Sequence, residues 1–308
     1  MRFSFTHHRD PDDLRQIQLS FSGNPKFLFL YHSIKFELER LYPSSTFKLY
    51  SCISGKATYW FGLKSYSHLK VNDVLVAYEG EFDSARYAEA FAKYADVNDV
   101  FITPLLVVGE MILVEEVVKY VQGHLTGFFG HKHPTKLFYM TEAQMEAVKN
   151  LELPPLPDGY KLGSSDPTTD SEFITSHWRH AKQGDVEETR LFPLVVRGYS
   201  SRRRAKLTCF PSSCIRYEGK PVAFEMMSQS GSLNHLFVLE QHRRKGLGQI
   251  VELDLAKKAI RLGLKVNKNI ELFNESLIDS TSRSPFWTKA KQEDGSDYIN
   301  LYYVLEFE

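Results

Sequence analysis

The chain has 308 residues, 43% of them hydrophobic and 25% charged, which suits two compact units with real cores rather than a disordered tail. Its 38 basic residues balance 38 acidic ones, so no global positive field points to nucleic acid or an anionic membrane as partner. Three cysteines, Cys52, Cys209 and Cys214, are too few and too scattered for a disulfide framework, and their spacing matches no zinc knuckle.

Asp10, Asp12 and Asp13 come too early for an ordinary organelle presequence, so an intracellular protein is expected, cytoplasmic or mitochondrial. Phe27 to Leu41 reads as a helix stopped by Pro43. Thr46 to Ile53 and Thr58 to Leu63 read as strands around the turn Ser54-Gly55-Lys56, followed by a strand over Asp73 to Tyr78 and an alanine-rich helix over Ser84 to Tyr94. Phe101 to Val108 and Lys136 to Met140 look like further strands, separated by a helix near Met111 to His124. The apolar stretch from Val100 to Val121 is broken by Pro104, Glu110, Glu115 and Glu116 and is too polar to span a bilayer. His131 and His133 have no third ligand nearby in sequence and read as part of an exposed loop. Leu153-Pro154-Pro155-Leu156-Pro157-Asp158-Gly159 cannot continue a helix or enter a central ladder, so it is the expected linker. The expected division is therefore an α/β domain over 1–152, a linker over 153–159 and a second domain over 160–308.

Beyond the linker, Ser171 to Lys182 reads as a helix with Phe173, Ile174, Trp178 and Ala181 facing a core. The run Arg202-Arg203-Arg204 reads as a solvated basic turn. Ser213 to Tyr217, Val222 to Ser228 and Ser232 to Val238 read as strands, the last two joined through Gln229-Ser230-Gly231 as a hairpin. Gly246 to Leu262 reads as a long amphipathic helix, Val266 to Phe273 as a strand, Asn274 as a helix cap and Tyr298 to Phe307 as a final strand.

Arg243-Arg244-Lys245-Gly246-Leu247-Gly248 lies between a strand and that helix. The first amides of a helix have no intrahelical acceptor and sit at its positive end, which suits a pyrophosphate. Glycines there let phosphates approach, and the preceding cations add charge for the remaining oxygens. The run fits neither the nucleoside-triphosphate loop nor the dinucleotide fingerprint.

With this motif in place, the order strand, strand, R-x-x-G-x-G, helix, strand, Asn-headed helix resembles the GNAT acyltransferases. It is closest to the glycine N-acyltransferase branch, through Tyr160-Lys161-Leu162-Gly163, the Trp178 helix, Phe210-Pro211-Ser212-Ser213-Cys214, Gly219-Lys220-Pro221-Val222, Gln229-Ser230-Gly231 and Asn274-Glu275-Ser276. The resemblance covers the second half of the chain. It implies a mixed β-sheet flanked by helices, preceded by a smaller α/β domain. It also implies direct acyl transfer from acyl-CoA to the amino group of glycine or another small amine or amino acid, without a metal. On this basis Gly246, Leu247 and Gly248 would bind pyrophosphate, with Arg243, Arg244 and Lys245 adding charge. The backbone of Phe237 and Val238 would pair with the pantetheine arm, and Asn274 would bond to it, cap its helix, or do both.

The sequence departs from the family at Ser232, where the branch carries a glutamate thought to act as general base. It also has Ser280, Thr281 and Ser282 in the helix where GNAT enzymes often carry a tyrosine acid. Serine cannot take an ammonium proton unaided, so Glu225 and His235 become the candidate bases. A two-residue Ser230-Gly231 turn would place Glu225 on the Ser232 side of the hairpin, and His235 on the other unless a bulge intervenes. Two readings stay open: an active N-acyltransferase, or an acyl-CoA-binding protein whose catalysis is weak or lost.

Overall fold

The computed structural model describes residues 4–66, 72–102, 105–177 and 206–307. Arg202, Arg203, Arg204, Trp178 and Ala181 lie outside these residues. The chain forms two compact units, one of Met1–Tyr139 with Asn269–Glu308 and the other of Met140–Lys268. This corrects the division expected at residues 153–159.

The first unit contains strands β1 (Ser4–His8), β2 (Ser45–Ser54), β3 (Ala57–Tyr66), β4 (Asn72–Gly80), β5 (Leu105–Glu110) and β6 (Phe128–Tyr139). Its helices are α1 (Pro11–Phe21), α2 (Leu28–Leu38), α3 (Ser84–Asn98) and α4 (Met111–His124). The strand order is β1-β2-β3-β4-β5-β13-β6, where β13 is Ile299–Phe307 from the far end of the chain, and the short β12 (Thr288–Lys289) pairs with β6 off this path. Only β4 and β5 pair in parallel within this run; the other neighbours are antiparallel.

Alternation along β3 sorts the two cores. Tyr59, Phe61 and Leu63 join Tyr87, Phe91 and Tyr94 of α3 and Leu113, Val114 and Val117 of α4. Trp60 faces the other way, onto Phe21 and Phe27 with Leu30 and Ile34 of α2. His131 and His133 stand in β6, paired with Val304 and Tyr302 of β13, and not in the expected loop. Pro134 did not exclude a strand there, because a long antiparallel partner supplies most of the ladder.

The placement of β13 is why the expected boundary fails. Leu301 pairs with Gly109 on one side and Pro134 on the other, so the last strand completes the first unit's sheet. The segment 140–152, expected in the first domain, belongs to the second unit because α5 (Glu142–Asn150) packs on a later helix. Thr141 and Gln144 close a capping box at its start.

In the second unit the strand order is β11-β10-β9-β8-β7, from β7 (Tyr160–Gly163), β8 (Ser212–Tyr217), β9 (Lys220–Met227), β10 (Leu233–Val238) and β11, Asn267–Glu271, whose first two residues belong here. Pairing is antiparallel except between β10 and β11. Helix α6 (Ser171–Ser176) covers one face, where Ile174 and Phe173 pack with Cys214, Phe224, Met226 and Phe237. Helix α7 (Leu247–Arg261) covers the other through Leu247, Ile250 and Val251 on Ile215, Val222 and Ala223. Both units are thus mixed sheets flanked by helices.

Because β13 is bonded on both edges, its side chains carry more of the first core than a terminal segment usually does. Leu301 is 1% exposed. Leu301→Ala is expected to cost about 2–5 kcal/mol of stability in denaturant unfolding. A chain ending at residue 298 should lose the cooperative transition of the first unit altogether.

Candidate functional site

β9 and β10 are joined more loosely than a two-residue turn would allow. The Ser228 amide donates to the Ser232 carbonyl at 2.8 Å, and the Gly231 amide to the Ser228 carbonyl at 3.0 Å, leaving Gln229, Ser230 and Gly231 as a three-residue loop. Met227 therefore faces Leu233, one residue off the expected register. A bulge between Asn234 and Phe237 then restores it, since Phe224 faces Phe237 and Ala223 faces Val238. His235 sits in this bulge with φ at 62°, a left-handed backbone uncommon for any residue with a Cβ.

The two candidate bases lie on opposite faces of the sheet. Glu225 lies on the α7 side of the sheet, 2% exposed, and its Oε2 has no hydrogen-bond partner among the described residues. Nearby, Lys268 and Glu252 form a buried ion pair. Burial pushes the Glu225 carboxyl well above its ordinary 4.5; the Glu252 charge pushes the same way and Lys268 opposes them. His235 lies on the α6 side, half-buried, its ring edge-on to Phe224 at 5.3 Å between centroids. Ser232 is buried, and its hydroxyl donates to Asn267 Oδ1 at 2.6 Å. Ser232 thus holds the start of β10 to β11, close to their parallel pairing at Leu233 and Lys268.

After β10 the chain makes a short turn and enters α7. Arg243 Nε donates to the Val238 carbonyl at 3.1 Å, tying the loop back to the strand. That bond takes up one lone pair of a carbonyl expected to face a pantetheine arm. Arg244 has φ at 60° and is exposed. Lys245 donates to the Tyr160 hydroxyl at 2.8 Å.

Gly246 is the N-cap residue of α7, with φ at 75° and no side-chain cap bond at the helix start. A Cβ added there would meet nothing within 4 Å, and one added at Gly248 would meet only Val238 Cγ2 at 3.5 Å. The space over the first turn is open, and the two glycines keep it so. Its amides are the donors a helix start leaves without intrahelical partners. Asn274 lies in the first unit, at the head of α8 (Glu275–Ser282). Its carbonyl accepts from the Leu277 and Ile278 amides, but its side chain makes no capping bond, contrary to the cap expectation.

Sequence reasoning missed the aromatic group beside the loop. Tyr160, Tyr217 and His242 cluster within 4.8–5.7 Å of one another. The only signal was their aromatic type near three turns, which a linear reading cannot bring together. Among the described residues, no group of three His, Cys, Asp or Glu side chains is placed to hold a metal, and no helix is long and apolar enough to cross a membrane.

With this geometry in place, the chain can be set beside known proteins. No protein-family model matches it. It is similar to the crystal structure of a Drosophila protein, with a TM-score of 0.71 at 14% identity over 98% of both chains, which shows a shared fold. Two weaker likenesses carry no argument at their scores. One is to a GCN5-related N-acetyltransferase from Kribbella flavida, with TM-score 0.48, 15% identity and coverage of 92% of this chain and 96% of that one. The other is to a tandem GNAT protein from the clavulanic acid biosynthesis pathway, with TM-score 0.47, 12% identity and coverage of 99% and 98%.

The Glu225 carboxyl allows a direct check of this arrangement. Its folded-state proton affinity is raised over that of the unfolded chain, so the stability it contributes is full below about pH 4.5 and is lost as pH rises toward the folded value. Glu225→Gln removes that loss. The melting temperature of the variant should gain on wild type steadily between pH 5 and 8, and a constant difference would show that the carboxyl is not held neutral.

Proposed function

We propose that the second unit binds an acyl-CoA and transfers the acyl group to the amino group of glycine or another small amine or amino acid. One observation carries the reading: α7 opens on a left-handed glycine with no side-chain cap, inside R-x-x-G-x-G, with empty space where phosphates would approach. Gly246, Leu247 and Gly248 are the proposed pyrophosphate contacts, and Arg244 adds charge. Phe237 and Val238 are the proposed strand edge for the pantetheine arm. Arg243 holds the loop to β10 and acts on the ligand chiefly through that geometry.

In the transfer, the free amine attacks the thioester carbonyl carbon, the amide C–N bond forms and the C–S bond breaks, and the proton lost from the amine nitrogen passes to the leaving sulfur, so CoA leaves as its thiol. The ammonium proton must go to a base before attack. Of the two candidates, His235 is the proposed acceptor. Glu225 is buried and desolvated on the α7 side of the sheet, whereas His235 stands half-buried in the bulge of β10, the strand proposed to carry the pantetheine arm. Glu225 then serves the core beneath the bulge.

A second reading, acyl-CoA binding with weak or lost transfer, draws on Ser232. Its hydroxyl is committed to Asn267, in the position where the resembling family places a glutamate base.

Titration calorimetry with CoA tests the binding half. Gly248→Val fills the open space beside Val238 and should weaken CoA at least about tenfold while the melting temperature changes little; unchanged affinity would remove the phosphate reading. Single-turnover transfer from acetyl-, benzoyl- and longer acyl-CoAs to an amino acid panel tests the chemical half. His235→Ala should lower the rate about 100-fold near neutral pH, with recovery as pH approaches the amine's own pKa, whereas Glu225→Gln should stay within a few-fold of wild type. CoA binding without transfer to any amine between pH 7 and 9 would favour the second reading.

A further inference from the structure

A cleft of about 690 Å³ opens in the first unit, between the paired strands β1 and β2 and the end of α3. Its size lies in the range of small-molecule sites, roughly 300–1,000 Å³. Strand alternation decides what lines it. Tyr50 and Cys52 of β2 pack toward α3, so Lys48, two residues before Tyr50, stands on the same face. In β1, Phe5 faces Cys52 and His7 faces Tyr50, and one step further along that register Arg9 falls across from Lys48. Helix α3 stops at Asn98, and Asp99 ends it in a left-handed conformation with φ at 48°. The helix therefore covers Tyr50, whose hydroxyl donates to Asn98 Oδ1 at 2.7 Å, but leaves Arg9 and Lys48 exposed.

Three rings and two cations define the chemistry of the cleft. His7 stacks on the buried Tyr50 at 4.2 Å between centroids, and Phe5 stacks on it at 5.5 Å. Both outer rings are half-buried and line the cleft with part of their surface. Arg9 Nε donates to His7 Nδ1 at 2.8 Å, which leaves the imidazole proton on Nε2. The two terminal guanidinium nitrogens and the Lys48 ammonium have no carboxylate partner among the described residues. Like charges across a strand pair are destabilising, and an anion between them removes that cost. Burial, then the charges of Arg9, Lys48 and His8, pushes His7 below its ordinary 6.5, so the ring is neutral near pH 7. Asp99, the acid that lines the cleft, does not offset these cations at His7.

Two neighbouring cations match a dianion in charge, and a guanidinium fork beside an ammonium suits the several oxygens of a phosphate. The flat faces of a neutral imidazole and a phenyl ring accept a planar group by stacking. We propose that the cleft binds a small phosphate monoester of an aromatic or heteroaromatic group, its phosphate on Arg9 and Lys48 and its ring against His7 and Phe5. None of these residues enters the acyl-CoA reading, which stands or falls separately.

Amide chemical-shift titrations of the full chain with phenyl phosphate, inorganic phosphate and phenol test it. Phenyl phosphate should bind saturably, moving the amides of His7, Arg9, Lys48 and Asn98, and at least about tenfold tighter than either of the other two. Arg9→Gln and Lys48→Met, both at exposed positions, should each weaken phenyl phosphate about tenfold, the scale of one charge-assisted contact. His7→Leu keeps apolar bulk on Tyr50 but removes the flat ring, and should bring phenyl phosphate down to the affinity of inorganic phosphate. Equal affinity of wild type for those two probes, or an affinity for phenyl phosphate unchanged when Arg9→Gln and Lys48→Met are combined, would overturn the proposal. So would the absence of saturation up to about 10 mM, or saturable shifts confined to Gly246, Leu247 and Gly248.

Discussion

The first turn of α7 begins without a side chain to cap it, and the arrangement of the second unit's site follows from that. Most helices place Ser, Thr, Asp or Asn there and satisfy an amide internally. Gly246 instead takes a left-handed conformation that only glycine adopts at little cost, and it leaves the space over the amides open. A glycine at the cap position costs stability, about a few tenths of a kcal/mol by comparison with a good cap. Burial of Leu247, Ile250 and Val251 on the sheet offsets that cost, so the helix can begin with its donors unspent.

The strand leading into that turn carries the second constraint. The extra residue in the β9–β10 loop and the bulge at His235 cancel in register, which keeps Phe224 opposite Phe237 while turning the backbone at His235. The two titratable candidates end on opposite faces. One is a carboxyl whose proton affinity burial raises, against α7 beside a buried lysine–glutamate pair; the other is a half-buried imidazole edge-on to Phe224. One strand pair thus holds a desolvated carboxyl on one side of the sheet and a half-buried imidazole on the other.

What could be read from the chain beforehand was local. The R-x-x-G-x-G run and the helix after it announce themselves through glycine, charge and apolar periodicity within twenty residues, and α7 begins one residue from the expected start. The register of β9 and β10 was not legible, because turn length and bulge are settled by packing on both faces of the sheet. The unit boundary was hidden for a related reason. Prolines at 154, 155 and 157 look like a linker, yet Pro157 lines a cleft with Tyr160, Tyr217 and His242, while the partners of β13 lie more than 150 residues earlier in the chain. The Glu225, Glu252 and Lys268 group and the ring cluster at Tyr160 join three elements each, beyond the reach of any spacing rule.

The central claim is that the open amides at the start of α7 receive the phosphates of an acyl-CoA. Backbone amide chemical shifts followed by nuclear magnetic resonance during an acetyl-CoA titration test it most directly. The account predicts saturable shifts at Gly246, Leu247 and Gly248, with lesser changes at Phe237 and Val238. Saturable binding that leaves those amides unmoved and perturbs only residues of the first unit would contradict it.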